Sequence, residues 1–363
     1  MFMNPLLVTF AILFVALGQS YAIKSKDNGI EILLAQVKDG ISKIVSSSSS
    51  KTDKEKIQLL RKTGIAQIIN LKGTSNSRVK FSRSGNETYL PVVQMHGMGD
   101  WAKDPFGMVP LAKSISEYLG GVYVLNVQIG ENSIADILNG FIMNLDDQVD
   151  YFANVVKNDP NLANGFNAVG YSQGNLLIRG YIERYNNPPV KNFISMHGPL
   201  AGVGAFPGCT LDHNFCRALS EVLGALAYHP TVQDHLAQAN YFRDPFRSDD
   251  FKAGAIFLPD INNEDTSVNQ VYNTNWLSLE SICLVKATGD TVVIPNDSEW
   301  FGFFQENSFD DIWSFKETPW YQGDLFGLQS LDKAGKVFFD TTSENHLDFD
   351  TDYLLNLVGT YFT

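Results

Sequence analysis

Short apolar runs alternate with helix-like stretches along the chain from residue 89 onward. Short apolar runs predict buried strands, whereas apolar residues at intervals of three and four predict amphipathic helices. The predicted strands are 90–95, 122–127, 166–169, 192–196, 282–287 and 336–339. Helical patterns lie between the first four strands, near 108–119, 134–156 and 175–185. This alternation predicts a mostly parallel central sheet with helices on both faces.

The alternation stops between residues 198 and 279. Compact domains rarely contain an irregular connection of roughly 80 residues. We therefore expect an inserted cap at 198–279, immediately before the strand 282–287, within a single domain that spans 86–363.

The first 22 residues differ from the rest of the chain. An apolar run there is followed by Ser20, Tyr21 and Ala22, a small-x-small cleavage site, which predicts a secretory signal peptide. No later segment is long and apolar enough for a membrane span. We expect the mature protein to be soluble and either lumenal or extracellular.

Residues 23–85 form a basic segment. They carry 13 basic and 5 acidic side chains, a net charge of +8, whereas residues 86–363 carry 14 and 35, a net charge of −21. The apolar spacing predicts a helix over 30–45, and Thr52 with Glu55 predicts a capping box that opens a second helix ending at Gly64. Three roles stay open for this segment: a docked helical pair, a basic element that binds anionic lipid, or a cleaved propeptide.

The overall composition narrows the function. The net charge of the whole chain is −13, which argues against nucleic acid as a partner. The sequence contains no zinc-ligand spacing, Walker loop or EF-hand loop. We therefore expect no metal site and no cofactor.

The sequence GYSQG at 170–174 matches the G-x-S-x-G nucleophile elbow. In such an elbow a strand reverses sharply into a helix, and small neighbours are needed because a Cβ beside the turn would collide with it. The predicted strand 166–169 precedes the motif and the predicted helix 175–185 follows it. This context predicts Ser172 as an exposed nucleophile.

A serine hydroxyl needs a base, and the base needs an orienting acid. The chain order serine, acid, histidine of this elbow fold selects His346, which follows the last predicted strand. Asp290 follows the strand 282–287 and is the favoured acid. Asp297 and Asp348 are weaker alternatives, because Asp297 lies one loop further on and Asp348 is too close to His346 in sequence.

An acyl-transfer site also needs donors for the developing oxyanion. The backbone N–H of Gln173, directly after the nucleophile, is one predicted donor. The second is expected from the glycine-containing loop 96–100 (HGMGD), after the first strand. In this loop, His96 is expected to stabilise the backbone by hydrogen bonds rather than to act as the base.

The three cysteines and two sequons fit a secreted chain. Cys209 and Cys216 lie close enough in sequence to form a small disulfide loop, whereas Cys283 sits in an apolar run and is expected to be a buried, inert thiol. Asn86 and Asn296 begin N-x-S/T sequons, and of the two Asn86 is the favoured glycosylation site.

Four motifs together resemble the palmitoyl-protein thioesterase family. They are VQMHGMGD at 93–100, GYSQG at 170–174, DSEWFGF at 297–303, and KET at 316–318 with AG at 334–335. They occur in collinear order over roughly residues 89–362. The chain departs from the family pattern at Asn175, where the family usually has a second glycine, and at 197–199, where HGP replaces a glycine-rich run.

The resemblance implies an α/β-hydrolase that cleaves fatty acyl thioesters from S-acylated proteins in the lysosome, without a cofactor. The family's nucleophile, acid and histidine fall on Ser172, Asp290 and His346. Its oxyanion donors fall on the backbone of Met98 and Gln173, and a family disulfide falls on the two cysteines at 209 and 216.

Two alternative functions and one structural question remain open from the sequence. The same triad would also serve a lipase or phospholipase that cleaves oxygen esters, and an inactive lipid-binding protein would keep the fold without turnover. Aromatic side chains of the insert either line an acyl-binding groove or form the insert's own core. They are Phe242, Phe246, Phe251, Phe257 and Trp276.

Overall fold

The structure, a computed structural model, describes residues 52, 55, 57, 58, 70–72, 89–205, 224, 226–264 and 267–362. The predicted signal peptide, the predicted helix over 30–45, the cysteine pair at 209 and 216, and the sequon at Asn86 lie outside the described residues. No helix among the described residues is long and apolar enough to span a bilayer.

A six-stranded parallel sheet forms the centre of the molecule. In chain order its strands are β2 (Val92–Met95), β3 (Val124–Asn126), β4 (Phe166–Tyr171), β5 (Val190–Met196), β6 (Ser281–Ala287) and β9 (Val337–Thr342). The spatial order is β3-β2-β4-β5-β6-β9, and every neighbouring pair is parallel. All six predicted strands are confirmed, and with the flanking helices this topology is that of an α/β-hydrolase.

Helices connect the strands and cover the sheet. The long helices are α1 (Met108–Tyr118), α2 (Ser133–Ile142), α3 (Leu145–Asn158), α4 (Gly174–Arg184) and α11 (Thr351–Tyr361). Shorter helices are α5 (Pro230–His235), α6 (Ser248–Gly254), α7 (Leu258–Ile261), α8 (Gln270–Leu277), α9 (Pro319–Gln322) and α10 (Leu328–Lys333). The predicted single helix over 134–156 is wrong in one respect: Met143 is extended, and the Asn144 side chain caps a second helix by accepting from the Asp147 N–H at 2.8 Å.

The sheet is buried on both faces, because successive side chains of a strand point to opposite sides. On β5, Phe193 joins the cluster formed with α3 and α4, whereas Ile194 joins the cluster formed with α1 and α11. On β6, Leu284 and Val285 divide in the same way. Cys283 is a free thiol that is fully buried, as its apolar surroundings in the sequence predict.

The region between β5 and β6 contains only short helices in its described part, and it packs on α4. The Arg179 guanidinium of α4 donates from Nη1 to the Leu200 carbonyl at 2.7 Å and from Nη2 to Asn262 Oδ1 at 2.7 Å. Among the aromatic side chains of the insert, Trp276 is fully buried and packs edge-on against Phe326. Phe251 and Phe257 are also fully buried, so these three side chains belong to the core.

Two further strands tie the basic N-terminal segment to the hydrolase fold. β1 (Asn70–Lys72) pairs in parallel with β10 (Asp348–Asp350). No pattern in the sequence predicted either of these two strands. Ile57 packs against a small cluster around Trp101 and Ile137. One bond of the predicted capping box is present, because Glu55 Oε2 accepts from the Thr52 N–H at 2.8 Å, and Glu55 Oε2 also accepts from the Thr52 hydroxyl at 3.0 Å. A short antiparallel hairpin, β7 (Phe303–Phe304) with β8 (Ile312–Trp313), follows the Asp290 loop.

Candidate active site

The turn between β4 and α4 holds the predicted nucleophile in a strained conformation. Ser172 has φ +51°, in the left-handed region that non-glycine residues rarely adopt. A Cβ at position 174 would lie 2.3 Å from the Met95 carbonyl oxygen, and one at position 170 would lie 2.4 Å from Asn175 Oδ1. Only glycine therefore fits on either side of the serine, which is the local reason for the GYSQG sequence.

Three side chains from separate loops meet at this turn. Ser172 Oγ lies 2.8 Å from Nε2 of His346, and Nδ1 of the same ring lies 2.5 Å from Asp290 Oδ2. Both partners come from loops at the carboxyl ends of β6 and β9. The structure thus brings together the three residues that the sequence selected, in a geometry that can pass a proton from the hydroxyl to the imidazole.

Asp290 is held as a carboxylate. Its Oδ1 accepts two backbone N–H bonds, from Val292 at 2.6 Å and from Val293 at 2.9 Å. Burial alone would raise the pKa of Asp290, but His346, Glu299 and the backbone donor of Val292 outweigh it and lower the pKa well below its usual range. The charged form is therefore available to orient an imidazole and to stabilise it when it is protonated.

The loops that carry the acid and the histidine are joined directly. The Thr291 N–H donates to Asn345 Oδ1 at 3.0 Å, and the Gly289 N–H donates to the Glu344 carbonyl at 3.3 Å. These bonds fix the distance between the two loops independently of the Asp290–His346 contact itself.

The loop that follows β2 lies against Ser172. A Cβ at position 97 would come within 2.9 Å of Ser172 Cβ, so the backbone of the Gly97–Met98 peptide passes close to the hydroxyl. Neither the Met98 nor the Gln173 backbone N–H donates to another described residue. Two amide donors close to the serine are what an oxyanion hole requires.

Comparison with known proteins identifies the family. The family model described as palmitoyl protein thioesterase matches residues 91–346. The chain belongs to the palmitoyl protein thioesterase family. The resemblance and the expected enzyme class, a thioester hydrolase, are thereby confirmed.

Curated relatives of this thioesterase agree with that assignment. Palmitoyl-protein thioesterase 1 of Caenorhabditis elegans is 39% identical over 274 residues, covering 75% of this chain and 92% of the relative. Palmitoyl-protein thioesterase 3 of Dictyostelium discoideum is 38% identical over 258 residues, covering 71% and 85%. A lysosomal thioesterase homologue of Drosophila melanogaster is 30% identical over 256 residues, covering 69% and 82%.

A second histidine supports the histidine loop of this thioesterase, and the sequence patterns did not reveal its role. His197 is fully buried, and its Nδ1 accepts from the Leu347 N–H at 2.9 Å while its Nε2 lies 3.0 Å from Thr342 Oγ1. Burial and the neighbouring His346 lower the pKa of His197 to about 3, so the ring is neutral. The ring therefore braces the backbone directly after His346. The sequence signal for this role is the position of His197 directly after a predicted strand, at the same sheet edge as the GYSQG turn.

A charged pair fixes the oxyanion loop of the thioesterase. His96 Nε2 lies 3.0 Å from Asp136 Oδ1, and His96 Nδ1 lies 2.9 Å from the Gly97 carbonyl. Burial alone would lower the pKa of His96, but Asp136 and these hydrogen bonds outweigh it and raise the pKa to about 9. The protonated ring donates on both sides, which confirms that His96 stabilises the loop.

The side chain of Gln173 links the elbow to neighbouring elements. Its Nε2 donates to the Gly140 carbonyl of α2 at 3.0 Å, and its Oε1 accepts from Gln238 and from the Tyr241 hydroxyl, both at 3.1 Å. Because Gln238 and Tyr241 lie in the insert, the insert orients a residue at the catalytic turn.

The same site contains a group with metal-ligand spacing. Ligand atoms of His197, Asp290 and His346 all lie within 4.8 Å of one another. Each of these atoms is already engaged, however: His197 accepts from the Leu347 amide, and the Asp290 oxygens face an imidazole and two backbone donors. Hydrogen bonding accounts for the arrangement, and the expectation of no metal and no cofactor stays a prediction.

Of the predicted modification sites, only Asn296 lies within the described residues. Its Nδ2 donates to the Ala287 carbonyl at 3.1 Å, and Ser298, the third residue of its sequon, is fully buried. Glycosylation of Asn86 and Asn296 and pairing of the cysteines at 209 and 216 stay predictions.

Proposed function

We propose that this protein hydrolyses long-chain fatty acyl thioesters on S-acylated cysteines of proteins. Ser172 is the nucleophile, His346 the general base and Asp290 the acid that orients the imidazole. The continuous hydrogen-bonded chain from Ser172 Oγ through His346 to the Asp290 carboxylate carries the proposal. The family's own description supports the substrate class.

The geometry suggests the following course for the reaction. His346 Nε2 takes the Ser172 proton as Oγ attacks the thioester carbonyl, and the new oxyanion accepts hydrogen bonds from the Met98 and Gln173 amides. The C–S bond then breaks. A cysteine thiolate is a good leaving group because its pKa is about 8.5, so this step needs little acid assistance. The protonated His346 gives its proton to the departing thiolate, which restores the neutral imidazole. His346 then takes a proton from water as the water attacks the acyl-serine, and it returns this proton to Ser172 Oγ as the fatty acid leaves.

The acyl chain and the compartment are part of the same proposal. The insert over 198–279 touches the elbow through Gln238 and Tyr241, so we assign to it the surface that receives the acyl chain. A lysosomal destination is supported by the name of the Drosophila relative and by the predicted signal peptide. Any peripheral contact with anionic membrane would be made by the basic segment 23–85.

A matched pair of substrates tests the function. A palmitoyl thioester and the corresponding oxygen ester are compared as substrates of the wild-type protein and of Ser172→Ala. We expect clear preference for the thioester, and a loss of at least ~10³-fold in kcat in the variant. Equal or faster cleavage of the oxygen ester would instead indicate a lipase-type enzyme. Binding of the acyl chain without turnover would indicate an inactive lipid-binding protein.

A further inference from the structure

A second carboxyl group lies behind the acid of the triad. Glu299 belongs to a short 3-10 helix (Asn296–Trp300) that follows the Asp290 loop, and its side chain is fully buried. Its Oε2 accepts from the Ala287 N–H at 2.7 Å, at the end of β6. The neighbouring Ser298 anchors the helix, because its Oγ donates to the Gly202 carbonyl at 2.6 Å. The position of Glu299 is therefore fixed from two sides.

The other oxygen of Glu299 is buried in the part of the fold that contains Asp290. Oε1 is buried and has no donor among the residues that the structure describes. The two carboxyl groups are nevertheless within hydrogen-bonding reach of each other. Two buried carboxylates this close would repel each other, and the unpartnered Oε1 would have no donor to stabilise its charge, so the neutral form of one group is favoured.

The surroundings assign that proton to Glu299. Asp290 faces two backbone donors and His346, whereas Glu299 has a single backbone donor. Burial, together with the adjacent Asp290, raises the pKa of Glu299 well above its usual range. The nearest cation, Lys286, is paired with Asp297 Oδ1 at 3.0 Å and lies over the Trp300 ring, so its charge is already compensated.

We propose that Glu299 is a positioning residue that, as a neutral carboxylic acid, donates its Oε1–H to the Asp290 carboxylate. The inference rests on the proposed role of Asp290. It extends the hydrogen-bonded chain of Ser172, His346 and Asp290 by a fourth member. The donated bond holds the plane of the Asp290 carboxylate so that Oδ2 faces the imidazole, and it spreads the negative charge of the acid over a second group.

Two substitutions distinguish whether Glu299 acts as a neutral hydrogen-bond donor or only packs in the core. Glu299→Gln keeps an oxygen for the Ala287 amide and places an N–H where the proton was, without charge. Glu299→Leu keeps the size but removes both bonds. At pH 5 to 6 we expect kcat of Glu299→Gln to stay within about threefold of wild type. We expect Glu299→Leu to lose about 10- to 100-fold, the usual cost of removing a hydrogen bond to a charged group.

The pH profile of kcat/KM gives a readout that packing alone would not change. In the wild type, Glu299 ionises on the alkaline side and then repels Asp290, so activity declines there. Glu299→Gln cannot ionise, and its alkaline decline should be displaced to higher pH or disappear. In Glu299→Leu the acid limb should move to higher pH, because Asp290 without its donor is a stronger partner for the protonated imidazole.

The matched control is Asp297→Asn in the same 3-10 helix. It leaves Glu299 and Asp290 in place but frees the charge of Lys286, which favours ionised Glu299, so the alkaline limb should move to lower pH, opposite to Glu299→Gln, while the acid limb stays unchanged. If Glu299→Leu fails to fold, as judged by its thermal melt, the pH profile of Glu299→Gln alone still tests whether Glu299 is a neutral donor to Asp290.

Two results would overturn the proposal. One is a loss in Glu299→Gln as large as in Glu299→Leu, which would mean that an ionised carboxylate is needed. The other is an alkaline limb of Glu299→Gln that superimposes on that of the wild type. Ser172→Ala measured in the same assay keeps the two questions apart. Turnover that survives in Ser172→Ala would refute the triad, whereas an inactive Ser172→Ala with an unchanged Glu299→Gln profile would refute only the role of Glu299.

Discussion

Ser172 Oγ lies 2.8 Å from Nε2 of His346, although 174 residues separate the two side chains along the chain. The parallel sheet explains this proximity. β4, β6 and β9 end at the same edge of the sheet, with only β5 between β4 and β6. The loops that follow these three strands therefore converge, and each carries one member of the proposed triad. Catalysis thus depends on the register of the whole sheet and not on one local motif.

We predict that Asp290→Asn lowers kcat by ~10⁴-fold. The two backbone N–H groups of Val292 and Val293 will retain the amide oxygen of the new side chain, so its NH2 group will face His346 Nδ1. The imidazole proton must then sit on Nε2, and that nitrogen cannot accept the Ser172 proton.

Steady-state kinetics with a palmitoyl thioester measure this effect. Asp297→Asn serves as the control, because Asp297 is an alternative acid that the sequence offered and pairs with Lys286. If Asp290→Asn kept a tenth of the wild-type kcat, or if Asp297→Asn lost more than Asp290→Asn, the assignment of the acid would be wrong.

Most of the sheet could be predicted from the sequence because its strands are short apolar runs that are buried on both faces. β4 and β5 are each two residues longer than expected, and the elbow followed from two glycines at fixed spacing. Asp290 and His346 could be selected because the fold prescribes the order of the triad along the chain. The strands and the elbow are local patterns, and the choice of Asp290 and His346 follows from the topology of the fold.

Other features depend on contacts that no local pattern carries. β1 and β10 are three residues each and pair across most of the chain, so neither has enough alternation to be recognised. The role of His197 depends on its burial beside His346, and that of Glu299 on a shared proton with Asp290. A sequence shows the residue types but not which of them become neutral or charged on burial.

We predict that Gly97→Ala reduces kcat by about 10²-fold, the scale expected when a catalytic group is displaced by about 1 Å. A Cβ at this position would lie 2.9 Å from Ser172 Cβ and 3.1 Å from the Tyr171 carbonyl, so the oxyanion loop or the nucleophile must move. Gly140→Ala is the matched control: its Cβ would meet the same loop from the other side at 3.4 Å from the Gly99 nitrogen, an ordinary contact. Similar kcat values for the two variants would contradict the close approach of the loop to the serine.

We predict that the folded state is most stable in mild acid and loses stability as the pH rises from about 6 to 9. Burial raises the pKa of Asp100 to about 8, and Asp136 holds the pKa of His96 at about 9 against burial. Both groups therefore bind protons more tightly when folded, so their contribution is largest below their unfolded pKa values and is lost as the pH rises through the folded ones. Each can change the free energy of unfolding by about 1.4 kcal/mol per pH unit in its window. Asp290 and His197 have the opposite sign, because their lowered pKa values make the protein less stable in acid, and below about pH 6.5 the contribution of His197 offsets that of Asp100.

Melting temperatures measured from pH 4 to pH 9 test this profile. Asp100→Asn removes one of the two groups and should flatten the decline between about pH 6 and pH 8. A melting temperature that rises over this range in the wild type would show that the buried charges of the oxyanion loop do not control stability.

We predict that any N-linked glycan lies on Asn86 and not on Asn296 when the chain passes through a eukaryotic secretory pathway. The Asn296 amide is bonded to the Ala287 carbonyl beside the Asp290 loop, and Ser298 of its sequon is buried. Glycosidase treatment should therefore shift the mass of the wild type and of Asn296→Gln, but not that of Asn86→Gln. A glycan found on the peptide that contains Asn296 would refute the prediction.

The last prediction concerns the basic segment 23–85, whose described residues contact the hydrolase fold close to the site. β1 pairs with β10, with Leu71 opposite Phe349. The buried Phe349 ring in turn stacks on Tyr171, directly before the nucleophile, at a centroid distance of 6.3 Å. On the other side of the site, Ile57 packs against Trp101, which follows the oxyanion loop. These contacts favour the docked structural role over the lipid-binding role or a cleaved propeptide.

Deletion of residues 23–72 should therefore lower both the melting temperature and kcat for a soluble thioester, because β10 begins only two residues after His346. Sedimentation with anionic and with neutral liposomes, measured on the same two proteins, tests the rival role. We expect the deletion to leave liposome binding unchanged. If the deletion instead abolished binding to anionic liposomes and left the melting temperature and soluble turnover intact, the segment would be a membrane-binding element. Purified mature protein that begins after residue 72 and keeps full activity would identify a propeptide.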